Sequence, residues 1–384
     1  MPRVERPATA EDCAALLRAC AADGQTVRVR GGGTKDHLGR LYLTAVTLET
    51  ARLAGIVDHV PEDLTVTVRA GTTLRAVRDA LAAHGQFLPI DAPHVGRGAT
   101  IGGVIAADSN GFGRYRYGSV RDLLLGVRAA LPDGTIARSG GRVVKNVAGY
   151  DLDKLFIGSL GTLGVVVEAT FKILPVPPVA RAATATFATP GGAFGAADTL
   201  VRTSLRPTAV VVARTDESGW RLVIAAAGEA APVERALAEL TRVAATRDAT
   251  ATAAGDVEAE LGPLRELVDA AETGAVVRAA LPLSAQTAFA ETALHLDRSA
   301  RVVADAASGI VLVHLRDDAG LPAAADALLA NARVLGGSAR IERAAVPGLD
   351  PFGGPEPAGA FLMRRLKDAF DPSGILEPAR SAVG

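Results

Sequence analysis

Three glycine-rich blocks in the first half of the chain limit its possible folds more than any other feature. They are RGGGT (30–34), GATIGGVIAADSNGFGRYRYGSVRDLLLG (98–126) and GSLGTLG (158–164). All three fall between predicted helices and strands, where glycine allows the main chain to come close to another main-chain segment or to a ligand. The sequence therefore predicts that a large ligand lies against these loops.

The first block leaves two interpretations open. Gly31, Gly32 and Gly33 follow a predicted strand that ends at Arg30. Without Cβ atoms, their N–H groups can close around an anion. A phosphate cradle and a simple tight turn explain this stretch equally well.

The second block has more small residues than a core segment needs. Gly102 and Gly103 would let a ligand approach the main chain, and Ser109, Asn110 and Ser119 would offer hydrogen bonds. A close helix crossing over small residues is the structural alternative.

The third block, with glycines at 158, 161 and 164, has the spacing of a dinucleotide-binding fingerprint but the wrong context. In a Rossmann unit the glycines follow a strand and open a helix. Here a predicted helical stretch precedes them and the strand GVVVEATFKIL follows. This reversed order excludes a Rossmann unit.

Composition narrows the class of protein further. The 384-residue chain is 49% hydrophobic, which favours a globular protein of about two domains. Its formal net charge of −1, without runs of Lys or Arg, argues against nucleic-acid binding. No apolar stretch reaches the roughly 20 residues that span a bilayer, and no signal peptide is recognisable. We predict a cytoplasmic protein, with any association at the inner face of a membrane made through partners.

The cysteine content excludes a resident metal cluster. Cys13 and Cys20 are the two cysteines, seven residues apart on one predicted helix, so about 10 Å of axial rise separates them and no disulfide is expected. Without a CxxC pair, this chain is not expected to ligate an iron–sulfur cluster or a structural zinc by itself. We predict no metal site.

Two proline-rich segments suggest the domain limits. LPVPPVARAA, which begins at Leu174, reads as a linker, and VPGLDPFGGPEP (346–357) closes the following region. Between them, strand-like segments such as ATATFAT, AVVVARTD, WRLVIAAAG, AVVRAALP and GIVLVHLR alternate with alanine-rich helices, which predicts an antiparallel sheet covered by helices. The chain then ends in a short helix, FLMRRLKDAF, and the turn DPSGILEPAR.

Five blocks in order, RGGGT, TIGG, RYGSVRD, KNVAGYDL and GSLGTLGVVVEATFKILP, resemble the FAD-binding module of the vanillyl-alcohol oxidase (PCMH-type) flavoprotein family. KNVAGYDLDKL and FDPSGILEPAR are most similar to the FAD-binding subunits of bacterial glycolate oxidases. The resemblance covers residues 10–178 and 361–380 and implies an α+β fold. Its expected parts are a PCMH-type FAD-binding domain of two α/β subdomains (1–176), a cap domain (177–350) and a C-terminal segment that returns to the FAD domain (351–384).

The resemblance also implies which residues hold the cofactor. Main chain around the pyrophosphate would come from the first two blocks, and the adenosine and flavin edge would lie along the third. The implied cofactor-binding residues are Arg30, Gly31, Gly32, Gly33, Thr34, Lys35, Thr100, Ile101, Gly102, Gly103, Ser109, Asn110, Tyr117, Gly118, Ser119, Asp151, Gly158, Ser159, Gly161, Thr162, Gly164, Val165 and Val166.

Two departures from the family refine these expectations. Relatives with covalently attached flavin often carry a histidine in the first loop, where this chain has Lys35, so non-covalent FAD is favoured and His37 is a weaker candidate for attachment. Catalytic relatives carry metal-binding histidines and a glutamate in the cap. This cap has only His295 and His314, without an acidic pair at ligand spacing.

The resemblance leaves the activity open. Oxidation of a 2-hydroxy acid needs a base, a cation for the carboxylate and the flavin. Lys145 and Arg116 are the leading candidates near the flavin, and Tyr150 and Asp151 are hydrogen-bonding candidates, with a surface or helix-capping role as the alternative.

We favour a subunit that passes electrons toward an iron–sulfur subunit, beside a catalytic flavoprotein subunit of the same complex. The alternatives are a stand-alone dehydrogenase of a small 2-hydroxy acid such as glycolate or lactate, a non-catalytic assembly subunit and, least expected, an NADPH-linked reductase of peptidoglycan precursors.

Overall fold

The computed structural model of the protein describes residues 2–40, 42–141, 151–252, 255–267, 274–316, 320–344, 349–378 and 380–382. The chain divides into two compact units. The first contains Met1–Asn110, Gly118–Val176 and Pro355–Gly384, and the second contains Gly111–Tyr117 and Pro177–Gly354. The segment Gly111–Tyr117, which the sequence analysis placed in the first domain, therefore packs with the second unit.

The first unit begins with a small parallel sheet and one helix. Thr9 starts the helix because its side chain accepts the N–H of Asp12 at 3.0 Å while the Asp12 carboxylate accepts the N–H of Thr9 at 3.1 Å, the reciprocal pair of a capping box. The buried face of the helix carries Cys13, Leu17 and Cys20, which pack against the sheet. The elements are β1 (Arg3–Glu5), α1 (Ala10–Ala22), β2 (Val27–Arg30) and β3 (Val46–Glu49), with strand order β1-β3-β2.

An antiparallel sheet forms the second half of this unit. Its strand order is β4-β5-β9-β7-β8, and a core of aliphatic side chains lies between the sheet and short helices. The elements are β4 (Ile56–Val60), β5 (Thr65–Arg69), α2 (Leu74–Ala82), β6 (Gln86–Phe87), α3 (Ile101–Ala106), α5 (Val120–Leu123), β7 (Leu124–Ala130), β8 (Ile136–Gly140), β9 (Val165–Lys172) and β10 (Leu174–Pro175), the last of which pairs with β6.

The end of the chain completes the first unit. Helix α11 (Ala360–Phe370) packs Leu366 and Phe370 against the core of the antiparallel sheet. Beyond the helix, Leu376 forms a parallel bridge with Val27 of β2. The C-terminal segment is thus hydrogen-bonded to the strand that leads into the first glycine loop.

The second unit is an antiparallel sheet with helices on it. In the described residues the strand order is β14-β11-β13-β12-β16-β17-β15-β18, and its larger core lies between the sheet and α6, α7, α9 and α10. The elements are α4 (Arg114–Tyr117), β11 (Val179–Phe187), α6 (Pro190–Val201), β12 (Ala209–Arg214), β13 (Trp220–Gly228), α7 (Ala230–Ala245), β14 (Thr250–Ala251), α8 (Val257–Arg265), β15 (Ala275–Ala280), α9 (Gln286–Leu296), β16 (Arg301–Asp305), β17 (Ile310–Leu315), α10 (Leu321–Val334) and β18 (Ser338–Ala344).

The α+β class predicted from the sequence is confirmed, and one detail of the linker differs. Strand β11 begins at Val179, directly after Pro178, and pairs with β13 along its whole length. The linker is shorter than predicted because proline restricts only its own N–H and the residue before it, which leaves the residues after it free to pair. Strands β14, β16 and β18 were not predicted.

The helices of the described residues are too short or too polar to cross a membrane.

The two thiols should be unreactive in the folded protein. Cys13 and Cys20 are free, with exposed fractions of 0% and 1%, and burial raises the pKa of Cys13 to about 12 and also raises that of Cys20. Because the thiolate is the reactive form, a disulfide reagent at pH 8 should label neither thiol before unfolding and both in denaturant. Rapid stoichiometric labelling of the native protein would contradict this packing of α1.

Candidate cofactor site

All three glycine blocks line one cavity in the first unit. Its interior space open to water is about 60 Å³, and the space is about 650 Å³ when the adjoining open solvent is included. Of the residues predicted to hold the cofactor, the cavity is lined by Arg30, Gly31, Gly32, Gly33, Thr34, Lys35, Thr100, Gly102, Gly103, Gly161, Gly164 and Val166.

The first loop lies directly against the segment that leads into α3. A Cβ atom on Gly31 would lie 2.3 Å from Oγ1 of Thr100, and one on Gly32 would lie 2.0 Å from the carbonyl oxygen of Gly98. No side chain fits at either position without displacing main chain or a buried residue. Glycine is required at both positions because the first loop runs directly against this segment.

The same loop offers N–H donors to the cavity. Among the described residues, the N–H groups of Gly32, Gly33 and Thr34 have no protein acceptor. Gly32 is exposed, whereas Gly33 and Thr34 are half-buried. An anion bound here could accept several of these N–H groups at once, as in a phosphate cradle.

Ion pairs hold the first loop in shape. The Arg30 guanidinium donates to the Asp36 carboxylate at 2.8 Å and to the Glu49 carboxylate at 3.3 Å, and Asp36 is the main cause of the raised pKa of Arg30. Arg28 donates to the carbonyl oxygen of Asp36 at 3.1 Å. Arg30 thus closes the turn from residue 30 to residue 36, and its charge is largely compensated.

The N–H groups of the second block are mostly hydrogen-bonded within the protein. The N–H of Gly102 donates to the carbonyl oxygen of Ala70 at 2.7 Å, and the N–H of Gly103 points to Oγ1 of Thr100 at 3.4 Å. Both groups are therefore used inside the protein. A Cβ atom on Gly102 would lie 3.0 Å from the Cβ of Ala70 and one on Gly103 would lie 3.2 Å from Oγ1 of Thr100, so both glycines border the cavity with tightly packed main chain.

The third loop is fixed against the end of α3. The N–H of Gly158 donates to Ile105 at 3.0 Å and the N–H of Leu160 donates to Ala106 at 2.8 Å, both to carbonyl oxygens. Leu160 has a φ of 53°, which only a firmly held loop imposes on a residue of this kind. Leu160, Gly161 and Gly164 then form the wall opposite the first loop's entrance strand.

The side chains that line the cavity favour an anion. They include three cations, Arg30, Lys35 and Arg380, and one carboxylate, Asp36. A diphosphate is the anionic part of a dinucleotide, so the charge balance agrees with the free N–H groups of the first loop.

The remaining predicted residues lie elsewhere. Ile101 and Val165 are core residues, while the hydroxyls of Ser159 and Thr162 donate to carbonyl oxygens of their own loop. Outside the cavity lining lie also Ser109, Asn110, Gly118, Ser119, Asp151 and Gly158, as well as Arg116 and Tyr117 of the second unit; Lys145 and Tyr150 lie outside the described residues.

Asn110 illustrates why some polar candidates lie outside the cavity lining. Its amide donates to the carboxylate of Asp108 at 2.8 Å and its carbonyl accepts the N–H of Val120 at 2.8 Å. Ser119 donates to Asp122 at 2.8 Å in the same way. These side chains stabilise turns of the main chain.

Seven lining residues were not predicted from the sequence. Asp36 follows the RGGGT block by two residues and Arg380 ends the motif DPSGILEPAR, so attention to charged residues in and beside these motifs would have found them. Val29, Thr50, Ala106, Ala107 and Leu160 have no signal of their own and line the cavity through the fold.

The comparisons agree with this site. Residues 2–140 match a protein family described as "FAD binding domain". The structure of p-cresol methylhydroxylase superposes on 99% of this chain and 88% of its own, with a TM-score of 0.76 at 18% identity, which shows a shared fold. Residues 2–140 therefore resemble an FAD-binding domain, and the chain shares the fold of p-cresol methylhydroxylase.

Two curated relatives are more similar in sequence. Glycolate oxidase subunit GlcE of Escherichia coli K12 is 44% identical over 156 residues, which are 41% of this chain and 44% of GlcE. D-lactate dehydrogenase [cytochrome] 1 of Saccharomyces cerevisiae is 33% identical over 221 residues, which are 56% of this chain and 37% of that enzyme. The chain therefore spans less than half the length of either relative.

The residues present fit FAD on structural grounds. The first loop offers unpaired N–H donors and cationic side chains to a diphosphate, and glycines of all three blocks line the same cavity. His37, the weaker candidate for attachment, does not line this space; its ring lies 6.3 Å from that of His94. Non-covalent binding stays a prediction.

Gly32→Ala should weaken FAD binding at least tenfold, which corresponds to about 1.4 kcal/mol. The added methyl group would lie 2.0 Å from the Gly98 carbonyl oxygen, so the first loop must move away from α3 and lose its shape. The dissociation constant of FAD can be measured from flavin fluorescence on titration of the deflavinated protein.

Gly96→Ala is the matched control in the same unit. Its methyl group would meet only the end of the Arg75 side chain, at 3.7 Å, so FAD binding should be unchanged. Equal affinities for the two variants would show that the contact between residues 32 and 98 is not needed for the cofactor.

Proposed function

We propose that this chain is the FAD-binding subunit of a glycolate oxidase-like 2-hydroxy-acid dehydrogenase complex, in which it passes electrons between its flavin and an iron–sulfur partner. The observation that carries the proposal is the 44% identity to glycolate oxidase subunit GlcE together with the glycine-lined cavity. Bound FAD would supply a ring system that takes up two electrons and releases them singly. The protein's part is to hold that group.

The charged groups around the cavity support a binding role over turnover of the hydroxy acid. Removal of the hydroxyl proton needs a carboxylate or histidine that is free to accept it. Asp36 is the carboxylate among the described lining residues, and it already accepts a hydrogen bond from the Arg30 guanidinium at 2.8 Å. In the described part of the chain, no cluster of three or more His, Cys, Asp or Glu side chains could hold a metal ion.

The cysteines support a separate iron–sulfur partner. A cluster of this kind is usually held by four thiolates. The sequence has two cysteines, and both lie on the buried face of α1. In the proposed complex, electrons that leave the flavin one at a time pass to another chain, beside a catalytic flavoprotein subunit that would oxidise the substrate.

One relative supports a second candidate function. D-lactate dehydrogenase [cytochrome] 1 of yeast matches 56% of this chain, the larger share of the two relatives described above. A stand-alone dehydrogenase would oxidise glycolate or lactate at its own flavin, with the base supplied by residues away from the described cavity. A purely structural assembly subunit is the third alternative, in which the flavin would not exchange electrons at all.

Glycolate should not reduce the flavin of the isolated chain. In an anaerobic cuvette, the visible absorbance of the bound FAD should remain after glycolate or lactate is added, and it should disappear after dithionite, which controls for a reducible flavin. Addition of the partner subunits with glycolate should then bleach it. Bleaching of the isolated chain by either acid would favour the stand-alone enzyme, and failure to bleach with all partners present would favour the assembly role.

Acid precipitation should release the flavin. Because Lys35 stands where covalently attached relatives carry a histidine and His37 lies outside the cavity lining, we expect the yellow colour in the supernatant and none in the pellet. A yellow pellet whose flavin stays on the polypeptide in denaturing gels would contradict non-covalent binding.

A further inference from the structure

The C-terminal segment contacts the cofactor site although the proposed function gives it no role. After α11, the N–H of Val27 donates to the carbonyl oxygen of Ile375 at 2.7 Å, and the N–H of Glu377 donates to the carbonyl oxygen of Val27 at 2.9 Å. Residues 375–377 therefore extend the small parallel sheet beside β2. Strand β2 leads directly into the first glycine loop.

The Arg380 side chain contacts the residues that follow the first glycine loop. Its guanidinium donates to the carbonyl oxygen of Leu38 at 3.1 Å, to that of Lys35 at 3.0 Å and to the carboxylate of Glu377 at 2.7 Å. It also lines the cavity, with an exposed fraction of 7%. One side chain thus joins the cavity wall, two carbonyl groups of the loop and a buried acid.

The loop is shaped around this contact. Gly39 has a φ of 73°, and a Cβ atom there would lie 2.4 Å from the carbonyl oxygen of Arg380. Residues 35–39 therefore lie against the C-terminal segment so closely that Gly39 cannot carry a side chain. The free N–H groups at 32–34 immediately precede this stretch.

Glu377 is the buried acidic partner of Arg380. Its carboxylate accepts the N–H of Val29 at 2.8 Å as well as the Arg380 guanidinium, and its side chain is 5% exposed. Burial raises the pKa of Glu377, and the charge of Arg380 and the N–H of Val29 oppose that shift. A buried carboxylate of this kind needs its partner, because removing one member of a buried ion pair leaves the other uncompensated.

The segment itself is rigidly held. Lys367 donates to the carbonyl oxygen of Thr162 at 2.9 Å, to that of Leu376 at 2.7 Å and to the Asp371 carboxylate at 2.6 Å. Asp371 in turn accepts the N–H groups of Ile375 and Leu376. The same segment is therefore fixed to the third glycine loop, so it spans both walls of the cavity.

We infer that Arg380, with Glu377, is a positioning residue of the FAD site: it holds residues 35–38 so that the preceding N–H groups face the diphosphate. The inference concerns cofactor binding and is independent of the substrate. Three of the five N–H groups of Arg380 donate to the protein, two of them to carbonyl groups of the loop, so we assign it the role of ordering the loop before FAD arrives.

Arg380→Ala should raise the dissociation constant of FAD at least tenfold in the deflavinated full chain. Arg380→Lys keeps the charge but cannot reproduce the three-way fork, so it should recover only part of the affinity. The ³¹P NMR signals of FAD bound to the lysine variant should also shift, because the diphosphate would meet a displaced loop. Arg364→Ala is the control on α11. It removes an exposed ion pair with Glu356 and should change neither the dissociation constant of FAD nor its ³¹P signals.

A double variant tests whether the pair acts as one unit. If it does, Arg380→Ala and Glu377→Gln together should weaken FAD binding by about as much as either alone. Three results would overturn the inference. The first is an unchanged FAD affinity in Arg380→Ala with only a lower melting temperature. The second is full recovery of FAD affinity in Arg380→Lys, which would indicate a charge effect on the phosphates, and the third is strictly additive losses of affinity in the double variant. If Arg380→Ala does not fold, the lysine variant and Glu377→Gln decide the question by the same titration and spectra.

Discussion

The contact between the first glycine loop and residues 98–100 is the constraint on which the rest of the site depends. Gly31 approaches the Thr100 side chain and Gly32 approaches the Gly98 carbonyl oxygen at distances that admit no Cβ atom, so the loop after the parallel sheet lies directly against the segment that leads into α3. The cavity lies beside this contact. Its lining combines glycine main chain from all three blocks with charged and apolar side chains.

This arrangement differs from a Rossmann site in the source of its donors. There, the first turn of a long helix faces the diphosphate. Here α3 has six residues and its first N–H groups donate to Thr72 and Ala70 inside the protein. The donors come instead from an irregular loop, whose shape is maintained by Arg30 and Asp36 on one side and by Arg380 on the other. Glycine spacing alone could not distinguish the two, whereas the order of strand, glycine and helix in the sequence did.

The sequence predicted the parts of the fold that local chemistry determines. The strand that ends at Arg30, the strand GVVVEATFKIL and the reversed order around Gly158, Gly161 and Gly164 follow from local signals, and each matches the structure. The role of polar residues was harder to predict, because the same side chain can face a ligand or cap a turn. Asn110 and Ser119 stabilise turns, whereas Asp36 lines the cavity and Arg380 reaches it from the other end of the chain. Strands such as β16, and lining residues such as Thr50, depend on tertiary neighbours that no short window contains.

The hydrogen bond from Arg380 to Lys35 joins residues 345 positions apart. During synthesis at about 5–20 residues per second, roughly 17 to 70 s pass between the appearance of these two residues. The amino-terminal loop is therefore made long before the side chain that fixes it, and the closure of so large a loop carries an entropic cost that local contacts cannot offset. A nascent chain can build both sheets of the first unit's core, but it acquires a finished pocket for its flavin only when residue 380 has been added.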